Sequence, residues 1–277
     1  MNQARIYSLA SGLDEHQVWT EFAAPLLQGL KPNVLAICEY GFTEMLNNVI
    51  DHSGSPDVLL RVETPEDRVE ISLHDSGVGV FRKLQVGLGL ESEHAAALEL
   101  AKGRVTTDPA RHTGEGIFFT ARMFDRFKLL SGAMLSLFKS GENDWWIENE
   151  TDPQAGTHVR MEIDPKSERT TREVFDRFAA GEEGFRFDTT VLALRLFGVD
   201  ARLVSRSQAK RLLARLDQFR TVILDFEGIE DIGPAFADEL FRVFQRSNPG
   251  VHIVPLNANE NVNQAILRVL TRNGNAR

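Results

Sequence analysis

At 277 residues, with 42% hydrophobic and 26% charged residues, the chain has the composition of a folded globular protein long enough for two modest domains. Its formal net charge of -9 argues against a general nucleic-acid binder, whose affinity comes from Lys and Arg neutralising phosphates. The single cysteine, Cys38, excludes an internal disulfide and points to a reducing cytoplasm. It lies in the apolar run of residues 34–38 and reads as a small buried hydrophobe. Residues 1–16 lack the charged start and apolar core of a signal peptide, and no window approaches the roughly 20 apolar residues that span a bilayer. The expectation is a protein neither secreted nor embedded in a membrane.

Residues 14–29 place Val18, Phe22, Ala23, Leu26 and Leu27 at helical period, with a bend or restart expected at Pro25. Lys31-Pro32-Asn33 interrupts that pattern, and Asn33 is suited to cap the next helix. On that helix Glu44, Asn48 and His52 recur every four residues and so share one face, opposite Phe42, Met45, Leu46, Val49 and Ile50. A carboxylate and an amide on one face suit a hydrated Mg²⁺, although the same spacing also describes a plain solvated face.

Residues 58–62 and 69–73 read as a hairpin that runs into His74-Asp75-Ser76-Gly77-Val78-Gly79. A carboxylate at a strand end followed by two glycines permits close backbone approach and leaves Asp75 to receive a donor such as an exocyclic amine. Residues 92–102 are rich in strong helix formers and stop at Gly103. The whole span 81–112 is long enough to form a lid, with Arg104 and Arg111 either solvated or facing phosphates. Next, Thr113-Gly114-Glu115-Gly116 opens a helix and presents unpaired N–H groups to an anion. Two strand-like runs follow, at 127–130 and 133–139. After them come the paired Trp145 and Trp146, able to stack a base but more commonly used in core or edge packing, and an alternating strand over 155–163 entered through Gly156-Thr157.

In this order and spacing the pieces around Asn48, Asp75, Gly114 and Thr157 resemble the N, G1 and G2 boxes and closing Gly-Thr strand of the GHKL ATPase superfamily. The resemblance covers residues 12–164. It implies a two-layer α/β sandwich of the Bergerat type that binds ATP and Mg²⁺. By the same resemblance Glu44 polarises the attacking water or hydroxyl, and Asn48 holds Mg²⁺ against the phosphates. Asp75 takes the adenine amino group, with Gly77 and Gly79 shaping the base pocket. Gly114 and Gly116 meet the phosphates, and Thr157 supports the adenine end. One departure stands out: Asp51 occupies the place where many relatives carry lysine. A histidine-kinase role for His16 is set aside, because no phospho-acceptor box surrounds it and too little chain precedes the site for a dimerisation hairpin.

Residues 166–184 are charged and turn-rich and read as a linker with one short helix, between an ATP-binding domain at 1–165 and a second domain at 185–277. In the second domain, strands at 190–196, 221–226 and 251–255 alternate with helices at 207–218, 234–245 and 261–271, the pattern of a small α/β unit with parallel strands. Its centre resembles the strand, loop and helix of STAS domains. In phosphorylatable relatives a serine opens the helix about where this chain has Ala235, so a phosphoswitch there is excluded. Arg206, Lys210, Arg211 and Arg215 form a basic stripe, read first as a solvated face, next as a docking surface for an acidic partner or for the ATP-bound domain, and last as a nucleic-acid contact. Asp225, at a strand's carboxyl end, stands either where α/β sheets bind ligands or as a loop cap.

The expected function is a cytoplasmic ATP-binding regulator and slow Mg²⁺-dependent ATPase, in which the STAS-like domain reports nucleotide state to a protein partner. Homodimerisation is expected by analogy with GHKL relatives. The alternatives are an anti-sigma-type serine kinase acting on a separate protein, and a scaffold that binds ATP without hydrolysing it.

Overall fold

The computed structural model describes residues 2–10, 12–109, 113–142, 144–178, 187–197 and 202–272. The chain divides into two compact units, Met1–Phe175 and Asp176–Arg277.

The first unit is built on a five-stranded antiparallel sheet of order β1-β2-β3-β5-β4. Its strands are β1 (Asn2–Ser8), β2 (Asp57–Glu63), β3 (Val69–Asp75), β4 (Arg126–Lys139) and β5 (Asp144–Ile163). Period-two alternation gives the sheet one apolar face, where Val58, Leu60, Ile71, Leu73, Leu129 and Met161 are buried. Against it packs α3 (Pro32–His52), whose Val34, Ile37, Phe42, Met45, Leu46 and Val49 are buried. Burying such side chains is worth about 1.5–3 kcal/mol each before chain entropy is subtracted. Cys38 is part of this interior, and burial pushes its thiol pKa up to about 12. The opposite face of the sheet carries Arg61, Ser72, His74, His158 and Arg160.

Before α3 the chain forms α1 (Glu15–Val18), a π-helical turn at Trp19–Ala23, and α2 (Ala24–Leu26). Asp14 caps the start by accepting from Gln17 N at 2.7 Å. Pro25 cannot donate to the carbonyl four residues back, and the wider turn ahead of it absorbs the break expected there. Asn33 does not cap α3. Pro32 is the first helical residue, and the Asn33 amide instead donates to the carbonyls of Ser167 and Arg169 at 2.9 and 2.8 Å.

Between β3 and β4 lie α4 (Val80–Leu88), α5 (Glu93–Lys102) and α6 (Gly116–Met123). Ser92 caps α5, with its hydroxyl accepting from Ala95 N at 3.1 Å. Ala96, Ala97, Leu100 and Ala101 of α5 are buried, so this half of the expected lid belongs to the core. The two runs expected at 127–130 and 133–139 are one strand, β4, with a register shift at Gly132. Trp145 is buried against Phe127 and Phe138, while Trp146 is exposed and donates to Glu142. After β5, α7 (Thr171–Phe178) is the short helix of the expected linker; residues 179–186 lie outside the described set.

The second unit holds a three-stranded parallel sheet of β6 (Thr189–Ala193), β7 (Thr221–Asp225) and β8 (His252–Leu256), in that order. Its helices are α8 (Arg206–Leu213), α9 (Pro234–Asp238), α10 (Gln245–Ser247) and α11 (Glu260–Arg272), with a π-helical turn, Glu239–Phe244, joining α9 to α10. Val222, Leu224, Phe236 and Leu240 form the interior. The basic stripe is shorter than expected. α8 stops at Leu213, Arg215 follows in the left-handed region at φ 62°, and Arg206 is ion-paired with Asp238 at 3.4 Å. Asp225 caps its loop, accepting from Glu227 N and Asn257 Nδ2, each at 3.0 Å.

Candidate functional site

A cavity of about 140 Å³ opens in the first unit between α3, the end of β3, the Thr157–Val159 stretch of β5, α4, and the loop before α6. Of the residues singled out in the sequence, Glu44, Asn48, Asp75, Gly79, Gly114, Gly116 and Thr157 all line it. Gly77 does not line it but shapes its rim. A Cβ on Gly77 would lie 2.0 Å from the Ser53 carbonyl oxygen, so only glycine lets this turn press against the end of α3. Val78 N donates to that same oxygen at 2.9 Å and locks the contact.

Asp75 is buried at the end of β3, where its Oδ1 accepts from Gly77 N at 2.8 Å. Burial pushes its pKa up, against the pull of the backbone N–H groups of Gly77 and Thr157. The Thr157 hydroxyl accepts from Val80 N at 3.1 Å and so fixes where α4 begins. At the far end Gly114, at φ 72°, turns the chain so that its carbonyl accepts from Val105 N at 3.1 Å. A side chain there would strike the Val105 backbone. Gly116 stands directly against Glu44, with 2.1 Å between a built Cβ and Glu44 Oε2. Burial raises the Glu44 pKa, and the charges of Glu115 and Glu15 add to the rise.

Arg104 does not line the cavity. It pairs with Glu115 at 3.3 Å, and Arg111 lies outside the described residues. Sequence reasoning passed over Lys83, Thr106 and Thr107, which line the wall opposite α3. The three hydroxyls of Thr106, Thr107 and Thr113, clustered ahead of the glycine turn, were the available signal. Among the described residues no group of three or more His, Cys, Asp or Glu could hold a metal ion unaided. The oxygen donors of Glu44 and Asn48 fit Mg²⁺, a cation held by one or two protein groups together with substrate phosphates.

The second unit supplies a comparison with known proteins. Residues 208–263 match the family described as a STAS-like domain of unknown function (DUF4325). The STAS-like domain thus includes β7, β8 and α9, and the cavity of the first unit lies outside the matched span. No curated protein matches the chain. No helix among the described residues is long and apolar enough to cross a membrane.

Proposed function

We propose that the first unit is a GHKL-type domain that binds ATP with Mg²⁺ and hydrolyses it slowly, and that the STAS-like domain meets a regulatory protein partner. The observation that supports this most is convergence. Asp75 and Gly114, each a weak signal alone, line one cavity together with Glu44, Asn48 and Thr157. Bound Mg²⁺ would neutralise charge on the phosphates, held by the Asn48 amide oxygen. Asp75 would accept from the adenine amine at one end. Glu44, at the other, would orient a water toward the terminal phosphorus and take its proton as ADP leaves.

Calorimetry with a non-hydrolysable ATP analogue tests the binding. The expected result is saturable binding that Asp75→Asn weakens by roughly tenfold or more, the cost of mismatching a buried hydrogen-bond partner. No binding by the wild type would overturn the proposal. Labelled γ-phosphate recovered as free phosphate, rather than on a protein, separates hydrolysis from the kinase alternative.

A further inference from the structure

The cavity has a scale along its length. Gly116 marks the Glu44 end of the exposed face of α3, and the Gly77 turn against Ser53 marks the other. From Glu44 to His52 the helix rises about 12 Å, at 1.5 Å per residue. Under the proposed reading, the terminal phosphate belongs beside Glu44 and the base beside Asp75. The ribose and the phosphate attached to it then lie between those ends, that phosphate nearer the His52 end than the terminal one.

Lys83 lines the cavity at the His52 end. It projects from the second turn of α4, half-buried, and its Nζ donates to the His52 carbonyl at 2.9 Å. Among the described residues lining the cavity it is the sole lysine or arginine. Arg104, in the loop before α6, is engaged by Glu115. Asp51, next to His52, is exposed and carries the charge opposite to the lysine that the family resemblance leads one to expect there.

We infer that Lys83 is a phosphate-binding residue that contacts the phosphate nearest the ribose, supplying from α4 the cationic contact that position 51 lacks. The inference rests on the adenine-nucleotide reading of the cavity. Its geometry is favourable. A lysine ammonium on a flexible stem can turn from one carbonyl oxygen to a phosphate oxygen a few ångströms away, and a charge-assisted bond to phosphate is the stronger of the two. Burial also disfavours the ammonium, lowering its pKa, while Asp51 and Asp108 help keep it charged. A phosphate would offset that burial cost.

The test is binding of ATP, ADP, AMP and adenosine to the full-length chain, comparing wild type with Lys83→Met and Lys83→Arg, with NMR shifts extending the adenosine arm to millimolar affinity. The expected result is that Lys83→Met weakens all three phosphorylated ligands by roughly tenfold and leaves adenosine unchanged, with Lys83→Arg recovering most of the loss. If the wild type binds ATP and Lys83→Met binds all four ligands as well as wild type, the role of Lys83 is overturned while the nucleotide reading stands. Loss of adenosine together with the nucleotides would overturn it too, because Lys83 would then be holding the cavity in shape. If the wild type binds none of the four, the nucleotide reading itself fails and this inference falls with it.

Discussion

At Glu44 the local physics leads to a kinetic expectation. The carboxylate sits on a helix whose other side is core, and burial is the largest cause of its raised pKa, followed by Glu115 and Glu15. A carboxylate with a raised pKa keeps its proton at a pH where an exposed glutamate has lost it. Protonated, it cannot orient a water or accept its proton, so hydrolysis should fall on the acid side at a higher pH than an exposed glutamate would set. Glu44→Ala should lower the rate by about a hundredfold or more, remove that acid limb, and leave nucleotide binding in place. A pH–rate profile of both proteins checks this. A wild-type rate flat through the acid range, or a Glu44→Ala protein as fast as wild type, would remove Glu44 from the proposed chemistry.

At the level of elements, the start of α4 depends on a neighbour distant in the chain. Gly79 precedes it without a side chain to cap it, and the Val80 amide is satisfied by the Thr157 hydroxyl of β5. Thr157→Val keeps the shape and removes the acceptor. It should cost about 1 kcal/mol of stability and raise hydrogen exchange at the first turn of α4, while weakening nucleotide binding because the wall that carries Lys83 loosens. Unchanged exchange there would show that the bond anchors nothing. None of this support for α4 is legible in the sequence, where the family resemblance marks Thr157 for the adenine end and nothing links it to Val80. By contrast, the face of α3 that lines the cavity is legible, since Glu44, Asn48 and His52 share a face through helical period alone. The same holds for Asp75, whose carboxylate ends an alternating strand. β1 escaped detection because Asn2–Ser8 lacks apolar alternation and is largely exposed at the sheet edge. β4 and β5 read as fragments because Gly132, Pro153 and Gly156 look like chain breaks, whereas the sheet absorbs them in a register shift. Lys83 was invisible for a related reason: its relevance comes from the His52 carbonyl, a partner on another helix.

Across the whole molecule, all three tryptophans, Trp19, Trp145 and Trp146, belong to the first unit and none to the second. Tryptophan fluorescence is therefore a selective reporter of the unit that holds the cavity, while far-ultraviolet circular dichroism reports both units. Trp19 and Trp145 are buried, so their emission should shift to the red when the first unit unfolds. A ligand that binds only the folded form stabilises it by RT ln(1 + [L]/Kd), about 2.7 kcal/mol at a hundredfold excess over Kd. Denaturant unfolding with saturating ATP and Mg²⁺ should thus move the fluorescence midpoint upward by that amount divided by the slope of stability against denaturant concentration. The Asp75→Asn protein at the same nucleotide concentration should move less, in proportion to the logarithm of its weaker affinity. A fluorescence midpoint that stays fixed as ATP is raised, in a protein whose native emission shows the first unit folded, would mean that the cavity holds no such ligand.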